Sequence, residues 1–312
     1  MKIVITGALG HIGSRLIRDL PDTFPGAELL LLDNLSTQRF CSLFNLPPQG
    51  RYRFVEADIL TADLDELFSG ASVVIHLAAI TNAEGSFDIH EQVEQTNFVG
   101  TDRVARACSR AGAALIFLST TSIYGTQGDV VDEQCSPDEL RPQSPYAASK
   151  LRAEQLLCRL GCEQGLRFVI CRFGTIFGAS IGMRFHTAVN KFIWQACMGI
   201  PLTVWTSALD QQRPYLDLED AIRSISFIIR NELFAGDIYN ILTINATVRQ
   251  VVGTIREFVP DVQVHLVDHQ IMNQLSYTVS CNNFCSLGFE FTGDLNRQLA
   301  GSVELFRRVR VW

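Results

Sequence analysis

Residues 2–20, Lys-Ile-Val-Ile-Thr-Gly-Ala-Leu-Gly-His-Ile-Gly-Ser-Arg-Leu-Ile-Arg-Asp-Leu, decide the fold. The apolar run Ile3–Thr6 reads as a buried strand, Gly7, Gly10 and Gly13 as a turn, and Ser14–Leu20 as an amphipathic helix. Glycine accepts positive φ and lets backbone N–H groups approach a ligand, while a helix N-terminus favours a pyrophosphate. Strand, glycine turn and helix therefore predict a dinucleotide site in an α/β Rossmann fold, a doubly wound parallel sheet. The spacing is Gly-x-x-Gly-x-x-Gly, which departs from the dehydrogenase pattern Gly-x-Gly-x-x-Gly.

Working outward, Glu28–Asp33 is apolar between its two end residues, as a strand buried on both faces should be. Asp33 stands twenty residues beyond Gly13 (33 − 13). A carboxylate there accepts from both adenosine ribose hydroxyls and repels a 2′-phosphate, favouring NAD over NADP. Asn34, Ser36 and Thr37 follow as polar groups near the ribose. A third strand, Tyr52–Ala57, ends at Asp58 and Ile59; Asp58 could receive the adenine amino group or simply cap a turn. The fourth, Ser72–Ala79, runs into a small-residue turn where backbone could approach the diphosphate. A helix from about Asp88 to Gly112 contains Asn97, and the fifth strand, Ala114–Ser119, ends in the hydroxyl cluster Thr120-Thr121-Ser122-Ile123-Tyr124-Gly125.

Ser144-Pro-Tyr-Ala-Ala-Ser-Lys150 then places a phenol and an ammonium four residues apart, on one face of a helix. A nearby cation favours the phenolate, drawing the Tyr146 pKa down from about 10 towards the range of a general base. Such a tyrosine can take a hydroxyl proton while a neighbouring cofactor takes hydride. Alone, the spacing is common in ordinary amphipathic helices.

The 312 residues exceed what one core usually serves, so a large lobe and a smaller one are expected. A net charge of −7, with no basic run, argues against nucleic acid and against a membrane surface. The chain opens directly on a strand without a leader pattern, and no apolar stretch is long enough to span a bilayer, so the expected location is cytoplasmic. Nine irregularly spaced cysteines suit reduced thiols. His265 and His269, followed by Cys281 and Cys285, have a superficial metal-ligand look, but zinc sites favour tighter Cys pairs, and neighbours without a ligand are the preferred reading.

The glycine turn, Asp33, Asp58, His76-Leu-Ala-Ala79, Ser119-Thr-Thr-Ser-Ile-Tyr-Gly125 and Tyr146-x-x-x-Lys150, in that order, resemble the extended short-chain dehydrogenase/reductase family. Within it the chain is most similar to nucleotide-sugar epimerases and dehydratases of the UDP-glucose 4-epimerase kind. The likeness continues through Cys171–Gly178, through Arg213-Pro-Tyr-Leu-Asp-Leu-Glu-Asp220, which is similar to the family's Arg-Asp-Tyr-x-His-Val-x-Asp, and through Asp237–Ile241. The resemblance implies that Tyr146 is the base, that Lys150 holds the nicotinamide ribose, and that Thr120 orients the reacting alcohol, with Thr121 and Ser122 as close runners-up. It further implies that Gly7, Gly10, His11, Ile12, Gly13, Asp33, Asn34, Asp58, Ile59, Leu77, Ala78, Ala79, Asn97 and Phe173 surround NAD.

Two departures narrow the chemistry. The 4,6-dehydratases carry an Asp-Glu pair where Thr121 and Ser122 stand here, and a hydroxyl is too weak an acid or base for expelling water. The decarboxylase subgroup, needing a Glu there, is disfavoured likewise. Epimerases of this kind also grip the substrate diphosphate with two arginines; Arg213 matches one, while Met272–Tyr277 offers no cation for the other. Arg184 is the candidate replacement, with a surface salt bridge as its plain alternative, and Thr81, Asn190 and Lys191 are further candidates for the substrate wall.

The expected function is NAD-dependent epimerisation of a nucleotide-diphosphate sugar, most simply at C4 through a 4-keto sugar. Alternatives are a nucleotide-sugar dehydrogenase or 4-keto-sugar reductase using the same site, and a non-catalytic NAD-binding protein. The resemblance implies a Rossmann domain over residues 1–173, with 212–242 returning to it, a substrate lobe over 174–312 (mainly 174–211 and 243–312), and a homodimer paired through the two long helices.

Overall fold

The structure, a computed structural model, describes residues 1–83, 85–124, 130–268, 276–306 and 309. Seven strands build one parallel sheet: β1 (Lys2–Thr6), β2 (Glu28–Asp33), β3 (Arg51–Glu56), β4 (Val73–His76), β5 (Ala114–Thr120), β6 (Phe168–Phe173) and β7 (Ala235–Ile241). Their spatial order is β7-β6-β5-β4-β1-β2-β3. Successive side chains of a strand point to opposite faces, so an unbroken apolar run feeds two cores. Ile3, Ile5, Leu29 and Leu31 join one core, while Val4, Leu30 and Leu32 join the other. The helices are α1 (His11–Thr23), α2 (Gly100–Ala111), α3 (Pro145–Gln164) and α4 (Leu218–Arg230). Leu16, Ile17 and Leu20 of α1 pack with Ile222, Ile225 and Ile229 of α4 against the first face, and α2 and α3 cover the second. The strand order reverses between β1 and β4, which opens a crevice at the carboxyl ends of both strands.

The helix expected from Asp88 to Gly112 starts at His90 and passes through a π-helical turn, Glu94–Val99, before becoming α2. Gly112 ends it with φ 67°. Local periodicity cannot reveal the widened turn, because it goes with a distant tie: the Asn97 carboxamide bonds both backbone groups of Ile80. For α3 the signals are local. Ser144 Oγ accepts from the Ala147 N–H at 3.2 Å, Pro145 occupies the first turn, and Gly165 closes the helix at φ 65°.

A second core, with Phe177, Val189, Phe192, Leu202, Tyr215 and Val251, lies under helices Ala188–Cys197, Val248–Phe258 and Leu295–Phe306. Its three-stranded sheet holds Thr175–Phe177, Gln212–Asp217 and Ile244–Thr247, and Leu202–Trp205 pairs with Val264–Val267. Strand Gln212–Asp217 thus runs in the small sheet, while α4 packs on the large sheet and β7 forms its edge.

Candidate active site

The glycine turn is shaped by close backbone approach. A Cβ at Gly7, whose φ is 68°, would stand 2.7 Å from the Ala78 nitrogen, and one at Gly13 would stand 2.5 Å from the Ala8 oxygen. Gly10 differs: its nearest neighbours would be the Gly7 oxygen at 3.3 Å and the Arg184 Nη2 at 3.7 Å, so what it keeps clear is the mouth of the cleft. Asp33 closes the turn from β2, its Oδ2 accepting from the Leu9 N–H at 3.0 Å and its Oδ1 from the Leu35 N–H at 3.0 Å. Both oxygens retain lone pairs for ribose hydroxyls. These features fit an adenosine diphosphate laid across the end of α1. Asn34 donates to Asp58 Oδ2 at 3.0 Å, and Asp58 Oδ1 accepts from the Leu60 N–H at 2.8 Å. Asp58 therefore caps a turn, the plainer of its two expected roles. Ser36 and Thr37 are exposed beyond β2, and Ile59 is buried against Gly100.

Behind this turn runs a neutral hydrogen-bond chain. Thr101 Oγ1 donates to the Asn97 carbonyl at 2.6 Å, so it can only accept from His76 Nε2 at 3.0 Å. His76 Nδ1 then accepts from Thr6 Oγ1 at 2.7 Å, and Thr6 accepts from the Ala78 N–H at 3.3 Å. Burial, with a lesser push from Lys150, holds the His76 pKa down to about 3, so the ring is neutral and its tautomer fixed. Asn97, expected beside the cofactor, is fully buried; its amide is taken up by Ile80 and, at 3.3 Å, by Ser149 on α3. It positions the turn after β4 and does not line the cleft.

A cleft of about 520 Å³ extends from Gly7, Gly10, His11, Ile12 and Gly13 past Leu77, Ala79 and Phe173 to the second lobe. Thr81, Thr120, Ser122, Tyr146 and Lys150 line its middle. Thr120 stands near enough to the Tyr146 phenol to favour its ionised form. The expected lowering of its pKa is not found: burial, the largest influence, raises it, with Thr120 and Arg184 pulling the other way. Lys150 is spent differently. Its Nζ sits over the Phe117 ring at 4.7 Å, and burial brings its own pKa down to about 7 despite the opposing field of Glu154. Thr121 turns from the cleft and donates to the Phe173 carbonyl at 3.3 Å, which leaves Thr120 and Ser122 facing inward.

One turn beyond Lys150, Glu154 anchors a charged cluster that the sequence reading missed. Arg172 on β6 bonds both carboxylate oxygens, with Nη2 to Oε2 at 2.7 Å, and Ser119 donates to Oε1. Both partners are 3 % exposed. Arg172 Nη1 also donates to the Tyr124 hydroxyl at 2.9 Å, which donates to Asn240 Oδ1 at 2.8 Å. The available signal was the spacing Tyr146, Lys150, Glu154, which puts all three on one helix face.

On the far wall, Arg213 lines the cleft as expected, with Nη2 donating to Gln211 at 2.7 Å and the guanidinium 5.7 Å from the Tyr277 ring. Tyr277 is the described end of the Met272–Tyr277 stretch and donates to the Thr121 carbonyl at 3.1 Å; residues 272–275, His269 and Gly125 lie outside the described residues. Asn190 is buried and does not form the substrate wall. It accepts from the Gly178 N–H and donates to the Arg184 carbonyl, bracing the segment between them. Among the described residues Arg184 forms no salt bridge: it reaches into the cleft beside Gly10. Lys191, a candidate for the substrate wall, lines the distal end together with Trp205, which the sequence reading left without a site role. Cys281 and Cys285 have their Sγ atoms 4.0 Å apart.

Comparison with known proteins adds identity to this geometry. The chain is 31 % identical over 249 residues to the uncharacterized UDP-glucose epimerase YtcB of Bacillus subtilis, covering 77 % of this chain and 76 % of that one. It is 28 % identical to the trifunctional UDP-glucose 4,6-dehydratase/UDP-4-keto-6-deoxy-D-glucose 3,5-epimerase/UDP-4-keto-L-rhamnose-reductase RHM2 of Arabidopsis thaliana, where 93 % of this chain spans only 44 % of the relative. Among solved structures, MoeE5 in complex with UDP-glucose and NAD superposes with a TM-score of 0.85 at 26 % identity, over 99 % of either chain. A model of the NAD dependent epimerase/dehydratase family matches residues 3–241. With the doubly wound sheet, the glycine turn and the Tyr146–Lys150 helix all falling inside that span, the chain belongs to the NAD dependent epimerase/dehydratase family.

Proposed function

We propose that the protein is an NAD-dependent nucleotide-sugar epimerase that inverts C4 through a transient 4-keto sugar. The observation that carries this reading is the lining of the cleft. Among the described residues it presents Tyr146, Thr120 and Ser122 together with Lys150, Lys191, Arg184 and Arg213, and no carboxylate. A cationic cleft suits a diphosphate, and a site with a proton carrier but no acidic pair suits oxidation and return without loss of water. Similarity to YtcB and to the MoeE5 complex supports the same substrate class and cofactor.

NAD, when bound, supplies the hydride acceptor and donor. The chain supplies the rest. The glycine turn and Asp33 hold the adenosine diphosphate half, and Phe173, Leu77 and Ala79 wall the path towards Tyr146. Tyr146 takes the C4 hydroxyl proton as the ketone forms and gives it back on return, with Thr120 beside it in the cleft to orient the alcohol. Thr120 and Arg184 draw the phenol towards phenolate against its burial, while Lys150, one helical turn on and lining the cleft, is placed to hold the nicotinamide ribose. Arg213 and Lys191 face the substrate diphosphate, and the lobe over residues 174–211 and 243–312 carries the sugar nucleotide on the domain 1–173.

A cytoplasmic homodimer belongs to the same reading: α2 and α3 lie side by side on one face of the sheet, and nine free cysteines suit a reducing compartment. No helix among the described residues is long and apolar enough to cross a membrane. The test is incubation with NAD and a panel of UDP-, GDP- and dTDP-hexoses. Conversion of one of them to its C4 epimer is expected, with Tyr146→Phe slowing turnover by roughly 10²–10⁴-fold while folding is unchanged. Failure across the panel, or stoichiometric NADH release with a keto product, overturns it.

A further inference from the structure

The segment from Gly178 to Arg184 leaves the second lobe and lies across the start of α1, held there by a dense set of bonds. His11 Nε2 donates to the Gly178 carbonyl at 2.8 Å, Ser180 Oγ donates to the His11 carbonyl at 2.9 Å, and the Gly182 N–H donates to Ser14 Oγ at 2.9 Å. The approach is so close that a Cβ at Gly182 would stand 2.5 Å from the Leu9 oxygen and 2.6 Å from the Gly10 oxygen. From this strap Arg184 turns inward, with Nη2 3.7 Å from the space a Gly10 Cβ would fill. Its Nε is buried without a partner among the described residues, and no ion pair there neutralises it. Arg39, on the loop after β2, is near enough to repel it, and Asp33, whose field attracts both guanidiniums, forms an ion pair with neither among the described residues and accepts instead from the Leu9 and Leu35 N–H groups. Two guanidiniums beside a glycine turn, one with an unmet donor, call for an anion between them.

We propose that residues 178–184 form a strap that retains the cofactor, with Arg184 binding the diphosphate of NAD from the side opposite the glycine turn. This inference rests on the proposed NAD dependence and reassigns Arg184 from the substrate diphosphate to that of the cofactor. Burial and Arg39 together bring the Arg184 pKa to about 10, which still leaves a full positive charge at neutral pH for the ligand to meet. A strap bonded to both lobes would hold one cofactor molecule through many cycles, because leaving would require the second lobe to lift from α1. The substrate diphosphate is left to Arg213 and Lys191 across the cleft.

The test compares wild type with Arg184→Met and Arg184→Lys, each checked for native circular dichroism. NAD retained after gel filtration is measured by denaturing release, and affinities for NAD and for UDP by calorimetry. The expected result is an NAD Kd raised about 10–100-fold in Arg184→Met and less in Arg184→Lys, with the UDP Kd changed less than about twofold. Unchanged NAD affinity overturns the proposal, as does a loss confined to UDP, which would return Arg184 to the substrate. Wild type that binds no NAD at all sinks the epimerase reading itself, whereas wild type and Arg184→Met that bind NAD equally sink only the strap.

Discussion

Two buried polar tracts hold the cleft from behind, and they are built on opposite principles. Thr6, His76, Thr101 and Asn97 tie β1, β4 and the π-helical turn together with neutral groups, each donor meeting one acceptor. Ser119, Glu154, Arg172 and Tyr124 tie β5, α3 and β6 together around a full ion pair. The first fixes the backbone turn that faces the cofactor. The second stands one helical turn from Lys150 and sends a field to it. A neutral tract positions without disturbing nearby pKa values, whereas a charged one can position and tune together, at the risk of a large penalty when one partner is lost.

Replacing Arg172 breaks the comparison most sharply. Arg172→Met leaves Glu154 buried and unpaired, and a loss of about 3–5 kcal/mol is expected in urea denaturation. Glu154→Leu combined with Arg172→Met should recover much of that stability, yet activity should not return with it if the pair also tunes Lys150. Equal recovery of both would reduce the cluster to packing.

The neutral tract should give a smaller effect with a pH signature. His76→Asn is expected to lose about 1–3 kcal/mol at pH 7, through hydrogen-bond partners left unmet. The His76 pKa is about 3 in the folded protein, below the ordinary 6.5, so between those values the unfolded chain holds a proton the folded one does not. Its contribution is present above pH 6.5 and lost as pH falls towards 3. At pH 5 the wild type should have given up about 2 kcal/mol at this ring, and the gap to His76→Asn should narrow accordingly. A gap that stays constant from pH 7 to 5 would mean that the ring takes up its proton in the fold as readily as in the unfolded chain.

The smallest effect sharpens the boundary between the tracts and helix α3. Ser144→Ala removes the cap of α3 and should lower stability by about 1 kcal/mol, read from the shift of the denaturation midpoint. A larger loss would place Ser144 in the support of Tyr146 itself.

What could be read from the chain alone follows the range of the interactions. Strand β1, the glycine turn and α1 were legible because their signals lie within a few residues: unbroken apolar runs, a helix-compatible repeat, turn-forming glycines. Tyr146 and Lys150 were legible for the same reason. Asn97 was not, since its partners are Ile80 and Ser149, 17 and 52 residues away. The strap was out of reach altogether: Gly182 is explained by the Leu9 and Gly10 backbone, and its N–H bond to Ser14 spans 168 residues. The Tyr146 phenol went the other way, because helical spacing announces a cationic neighbour but not the burial that outweighs it.

The most direct measurement follows the hydrogen on the reacting carbon. Protein as purified is incubated in ordinary water with a sugar nucleotide from the converted panel, deuterated at C4, and the product is read by NMR and mass spectrometry. Inversion at C4 with the deuterium still on C4 is the result predicted for hydride taken and returned inside one closed cleft. Inverted product that has lost the deuterium would contradict the account.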